Sequence, residues 1–313
     1  MRQNYLDFQT ALQRHSGSKS TSAFPGLHAS SRSYTFRGDK GLLATTQFAQ
    51  PAICVLEFAA FKGLESLGRL PTPGKLAAFA GHSLGELAAL ACMTDAFPLE
   101  TMLKVAFARG VCLQVAVSRD EQGRSDFAMV AVDPSRVGRA FTEVRLTELV
   151  HGIMASTGSL LEVVNFNVAR KQYVCAGDKR CLDTLRRVTD ALHANDRLLE
   201  QPLAGLVDAH LYDADTSAAS VQLVRGKATI PLQGIDVPFH SSLLQAQRGM
   251  FFEMLKELVP VGAIDPVQLE GKWVPNVTGK PFKIDVAYLG EVARLTESKH
   301  LLTLLEDLGD SVG

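Results

Sequence analysis

Gly81-His82-Ser83-Leu84-Gly85-Glu86 carries the residue types that nucleophilic catalysis needs. The apolar run before it, Leu76-Ala77-Ala78-Phe79-Ala80, predicts a short buried strand, and Leu87-Ala88-Ala89-Leu90-Ala91 after it predicts a helix. A serine between two glycines at such a junction fits a nucleophile elbow, a strained turn that points the hydroxyl out of the sheet. The glycines would let strand and helix approach where a Cβ collides. The backbone N–H of Leu84 and the helix N-terminus would then be placed to hold an oxyanion. A plain glycine-rich turn gives the same local pattern, and the flanking strand and helix count against it.

A serine hydroxyl attacks at neutral pH only with the help of a base. Of the eight histidines, His15, His28, His193, His210 and His300 lie in polar segments and fit solvated surface roles. His151 reads as a helix-end cap, and His82 in the elbow would point away from the hydroxyl. His240 follows Ile235-Asp236-Val237-Pro238-Phe239 on a loop leaving a buried strand, where catalytic groups are commonly presented. A loop histidine without chemistry is the competing reading. Arg109 lies in the apolar stretch Ala106 to Leu113, where a guanidinium is costly unless it meets an anion. That anion could be an internal acid such as Glu86 or a ligand carboxylate, held in bidentate fashion. A side chain reaching to the surface remains the third alternative.

These residues need elements to position them. Apolar spacing predicts a helix over Gln47 to Leu67, with Pro51 near its start, and a second from Pro98 to about Val117. Phe127 to Val132 alternates as a strand, and Pro134 to Ile153 reads as a helix. Leu160 to Asn167 and Gln172 to Ala176 read as paired strands, followed by a helix over Asp178 to Leu192 and a strand over Ala228 to Leu232. This β-α-β-β-α-β order is that of a ferredoxin-like split unit. The expectation is therefore a small subdomain of residues 126–233, carrying a polar insertion at 194–227. It would interrupt a larger α/β domain of residues 1–125 and 234–313. Ser241 to Leu258 predicts a third long helix, and residues 12–33 a polar connector.

The 313 residues suffice for a sizeable core, and 46% apolar with 21% charged residues is ordinary for a globular chain. A net charge of −1 gives no electrostatic reason to expect a nucleic-acid or membrane partner. No apolar run is long enough to span a bilayer, and Met1 to Leu6 does not read as a signal peptide. Five cysteines, without C-x-x-C or Cys/His metal spacing, predict buried free thiols and a cytoplasmic location.

Taken together, Gly81 to Leu90, an arginine-glycine pair 26 residues after the serine, and Pro238-Phe239-His240-Ser241 resemble the malonyl-CoA:acyl-carrier-protein transacylase family. The likeness is closer to the malonyl/palmitoyl transferase domain of fungal type I fatty acid synthase β subunits. Gly41 to Ala52, Arg109 to Val117, Val164 to Asn167, Gln172 to Asp178, Ile230 to Ser242 and Val274 to Phe282 carry it in the same order. The resemblance implies an α/β-hydrolase-like core with an inserted ferredoxin-like subdomain. It implies Ser83 as acylated nucleophile, His240 as general base and acid, and Arg109 as ligand of the malonyl carboxylate. Gln50 and Phe239 would border the substrate, and the backbone carbonyl at Asn276 would orient the histidine. The activity implied is ping-pong transfer of malonyl, with long-chain acyl groups as a further substrate, in fatty acid or polyketide biosynthesis. Coenzyme A thioester and the phosphopantetheine of an acyl carrier protein would be substrates, with no permanently bound cofactor and no metal. Other domains or subunits of a fatty acid synthase would be partners.

The family's N-terminal Gly-Gln-Gly segment, whose glutamine gives a second oxyanion donor, has no counterpart here. The expectation is an N-terminally incomplete domain lacking its first strand. Loss of one such donor typically costs about 100- to 1000-fold in rate. A serine esterase or thioesterase, and an inactive truncated transferase domain, are the alternative readings.

Overall fold

The computed structural model describes residues 30, 31, 35, 41–71, 75, 76, 78–94, 97–211 and 221–310. Helix α1 (Thr46–Ser66) follows a 3-10 turn, and then come strand β1 (Phe79–Ala80) and helices α2 (Gly85–Met93) and α3 (Leu99–Gln114). Next are β2 (Phe127–Val132), α4 (Glu143–Thr157), β3 (Leu161–Val168), β4 (Gln172–Asp178), α5 (Lys179–Ala194), α6 (Leu203–His210) and β5 (Thr229–Pro231). The chain continues through α7 (Arg248–Leu258), β6 (Trp273–Val274), α8 (Val286–Thr296) and α9 (Lys299–Asp310). It forms two compact units, one of Thr35–Val111 with Met250–Gly313, the other built on Cys112–Gly249.

In the first unit β1 and β6 pair in parallel, Phe79 opposite Trp273 and Ala80 opposite Val274. Cys54 from α1, Ala88 and Ala91 from α2, and Met102, Val105 and Ala106 from α3 form its core. Small alanines on one face of α2 let its neighbours come close. The expected buried strand over Leu76 to Ala80 is shorter and more open than its apolar run predicts. Only Phe79 and Ala80 pair, and Ala80 is exposed, because β6 is its sole partner among the described residues.

The second unit holds a four-stranded antiparallel sheet in the order β3-β4-β2-β5. Alternation along β2 and β4 sorts side chains by face. Val130, Val132, Tyr173 and Cys175 join Leu146, Leu149 and Ile153 of α4 and Leu182, Leu185, Val188 and Leu192 of α5 in one buried cluster. Each of the Val, Leu and Ile side chains contributes roughly 1.5–3 kcal/mol when fully buried. Met129, Val174 and Ala176 face the other way.

Four sequence expectations need correction. Pro134–Arg136 makes only a 3-10 turn, and α4 starts later, where the Thr142 hydroxyl caps it. His151 therefore lies inside α4, not at its end. The predicted helix over Ser241 to Leu258 divides into a 3-10 stretch, Ser242–Gln247, and α7. The polar insertion contains α6, which buries Leu203, Leu206 and Val207 in the core. Helices α8 and α9 had no sequence assignment. The connector over residues 12–33, with His15 and His28, lies outside the described residues apart from 30 and 31.

All five cysteines are free, four buried and Cys92 half-buried. Burial pushes the Cys54 and Cys92 thiols up to about 11 and those of Cys112 and Cys175 up to about 12. Among the described residues no helix is long and apolar enough to cross a membrane.

Candidate active site

Ser83 sits between β1 and α2 with φ 55°, in the left-handed region. A non-glycine residue held there costs about 1–3 kcal/mol and persists only where its surroundings over-determine it. Gly81 makes the reversal possible, since a Cβ on it would stand 2.1 Å from the Gly85 carbonyl oxygen. Gly85 itself faces open space, so only the first glycine is sterically required. The N–H groups of Gly85, Glu86 and Leu87 donate to the carbonyls of His82, Ser83 and Leu84 at 3.0, 3.3 and 3.0 Å. The Leu84 N–H takes no acceptor among the described residues, which leaves it open for an oxyanion.

Arg109 turns inward from α3. Its Nη2 donates to Ser83 Oγ at 2.9 Å and its Nη1 to Gln50 Oε1 at 2.7 Å. Gln50 is buried and donates from Nε2 to Thr46 Oγ1 at 2.7 Å, which fixes its amide with oxygen toward the guanidinium. Gly110 explains the close approach of α3 to α1: a Cβ there would lie 2.5 Å from Gln47 Cα. Burial holds the Arg109 guanidinium below its ordinary value, opposed by Cys54 and Glu86. Among the described residues it forms no ion pair, so Glu86 is a nearby charge and not its salt-bridge partner.

Asn276 meets the elbow directly. Its Oδ1 accepts the Ser83 N–H at 2.6 Å, its Nδ2 donates to the Gly81 carbonyl at 2.7 Å, and its own N–H donates to Glu86 Oε1 at 2.6 Å. Burial raises the Glu86 carboxyl above the usual range, against the opposing pull of the Asn276 N–H, Arg109 and His82.

His240 and Phe239 belong to the second unit. His240 also has a left-handed backbone, φ 65°, and is exposed. Its loop is pinned on both sides. Arg119 pairs with Asp236 through two contacts, and Ser241 donates to the Pro238 carbonyl from Oγ at 2.7 Å and from N at 3.2 Å. The Glu162 carboxylate accepts from Ser242 N–H at 2.9 Å and from Ser242 Oγ. Phe239, Leu232 and Ile235 pack on Met129, Val174 and Ala176, the sheet face turned away from α4 and α5.

Ser83, Leu84, Gln50, Arg109 and Asn276 thus converge in one unit. Sequence reasoning missed the side-chain role of Asn276, the Asn276–Glu86 contact, and the Glu162 and Arg119–Asp236 anchors. Glu86, in the first turn after the serine, was the one legible signal. No cluster of three or more His, Cys, Asp or Glu among the described residues could hold a metal.

Residues 27–300 match the acyl transferase domain family, and the chain belongs to that family. It is 44% identical over 285 residues to the fatty acid synthase beta subunit stcK of Emericella nidulans, covering 91% of this chain and 15% of that protein. It is 41% identical over 311 residues to the fatty acid synthase beta subunit TOXC of Cochliobolus carbonum, covering 98% and 15% respectively. The chain thus spans about 15% of the length of these curated relatives. Its fold matches the crystal structure of FabD from Acinetobacter baumannii with a TM-score of 0.54 at 21% identity, over 98% of this chain and 76% of that one.

Proposed function

We propose that this chain transfers malonyl between coenzyme A and the phosphopantetheine thiol of an acyl carrier protein through an acyl-Ser83 intermediate. The observation that carries the reading is a half-buried guanidinium, without an ion pair among the described residues, hydrogen-bonded to the hydroxyl of a serine in a left-handed turn. A malonyl half-thioester ends in a carboxylate, and a bidentate guanidinium contact would hold it beside the nucleophile.

In this mechanism His240 takes the proton of Ser83 Oγ as the oxygen attacks the thioester carbonyl carbon. The Leu84 N–H and the α2 N-terminus stabilise the tetrahedral oxyanion. The carbon–sulfur bond then breaks, and His240 returns the proton to the departing coenzyme A sulfur. The phosphopantetheine thiol attacks the acyl-serine by the reverse path, restoring Ser83. Gln50 fixes the guanidinium, Phe239 borders the acyl chain, and the Asn276 carbonyl orients the imidazole.

The strand order β3-β4-β2-β5, with helices after the first and third of these in sequence, supports a ferredoxin-like subdomain at residues 126–233. Residues 1–125 and 234–313 would form the α/β-hydrolase-like core. Free, protonated thiols support a reducing, cytoplasmic setting. Relatives named as fatty acid synthase beta subunits support synthase domains as partners.

The test is transfer from malonyl-CoA to a phosphopantetheinylated carrier protein. Ping-pong kinetics with parallel double-reciprocal lines are expected. Free malonate with no loaded carrier protein would overturn transfer in favour of hydrolysis.

A further inference from the structure

The ladder between β1 and β6 ends at Ala80 and Val274. Just beyond it, Asn276 does with its side chain what a strand would do with its backbone. A carboxamide carries the same donor and acceptor as a peptide group. Oδ1 takes the Ser83 N–H at 2.6 Å and Nδ2 reaches the Gly81 carbonyl at 2.7 Å, so the ladder continues past the point where the chain reverses. Only this orientation of the amide satisfies both partners. The Asn276 backbone is held in turn by Glu86, whose carboxylate accepts its N–H at 2.6 Å from the first turn of α2. Gly81, Ser83 and Glu86 are all tied to one residue.

We infer that Asn276 is a positioning residue whose side-chain amide holds Ser83 in its left-handed turn and so sets the reactivity of its hydroxyl. The inference rests on the reading of Ser83 as the acylated nucleophile. The two amide bonds bracket His82 and constrain the φ of Ser83, the angle least favourable to an L residue. They also occupy the Ser83 N–H, leaving the Leu84 N–H as the oxyanion donor of the turn. Asn276 is exposed, so water can replace its partners in a truncated variant and the fold survives. What is lost is the placement of Oγ against Arg109 and the Leu84 N–H.

The test uses Asn276→Ala and Asn276→Asp in the full chain. The second keeps an acceptor for Ser83 but loses the donor to Gly81. Two readouts apply: steady-state malonyl transfer, and the rate at which a fluorophosphonate labels Ser83. Misplacing a reacting group by about 1 Å can cost on the order of 100-fold, so Asn276→Ala is expected to lower kcat and labelling by about 10- to 100-fold. KM for malonyl-CoA should stay within about twofold and Tm near the parent value. Asn276→Asp should fall between. Unchanged kcat and labelling, or losses that only track the unfolded fraction, would overturn the inference. Should Asn276→Ala fail to fold, Asn276→Asp decides, and labelling at the parent rate refutes the role. A parent chain that takes fluorophosphonate but no malonyl would refute the transferase reading alone, leaving the labelling comparison intact.

Discussion

Ser83 Oγ and Arg109 Nη2 stand 2.9 Å apart, so in the proposed reaction one guanidinium serves both the nucleophile and the substrate carboxylate. A hydrogen bond to a charged group contributes about 1.5–3 kcal/mol, and 1.4 kcal/mol is about tenfold. Arg109→Ala is therefore expected to slow loading from malonyl-CoA by about 10- to 100-fold while leaving loading from acetyl-CoA unchanged or faster. An equal loss on both donors, read by single-turnover acylation, would assign Arg109 to the fold. Glu86 makes a pH prediction. Its folded pKa is raised by burial, so the charged form is the costly one, and stability falls as pH rises through that pKa. Glu86→Gln keeps an acceptor for the Asn276 N–H without the charge. Its Tm should exceed the parent's at neutral pH, and the gap should close as pH is lowered through the raised Glu86 pKa. Thermal melts across acidic to neutral pH check the sign. A gap that is constant with pH would mean that the charge is not the cause.

At the scale of elements, close approaches at Gly81 and Gly110 set where the serine and the arginine stand. Gly110→Ala would push α3 away from Gln47 on α1, and with it Arg109 from Gln50. Overpacking of this kind costs about 1–3 kcal/mol, and urea unfolding should read at least that for Gly81→Ala, where the obstacle is backbone. Parent-like stability for Gly81→Ala would show that the turn can relax. Helices α1, α3 and α5 were legible because their apolar residues recur at helical spacing over three or more turns, and the shorter α2 because its run is rich in alanine and leucine. The start of α4 was not, because Pro134 is a good helix opener that here opens a 3-10 turn, while the effective cap, Thr142, lies further on. The left-handed backbone at His240 and the 3-10 turn after it shorten α7, and neither has a local sequence signal. Strand β1 was overextended because an apolar run shows what can be buried, not how many strands pair with it; among the described residues β6 alone does. Residue type and resemblance had singled out Ser83, Arg109 and Gln50, which hydrogen bonds bring together. The Asn276 clamp was not, because its partners lie more than 190 residues away in sequence.

At the scale of the whole molecule, each unit carries a strained residue held by distant polar contacts. Ser83 is held by Asn276 in one unit, and the His240 loop by Glu162 and the Arg119–Asp236 pair in the other. The chain belongs to the acyl transferase domain family, and the proposed function requires that Ser83 carry the acyl group between two thiols. The most direct measurement is the intact mass of the chain after brief exposure to malonyl-CoA, with the adduct mapped by peptide sequencing. One malonyl group is expected on Ser83, absent in Ser83→Ala and removed on adding a phosphopantetheinylated carrier protein, which gains it. An adduct on another residue, or no adduct on a folded chain whose Ser83 still reacts with a fluorophosphonate, would contradict it.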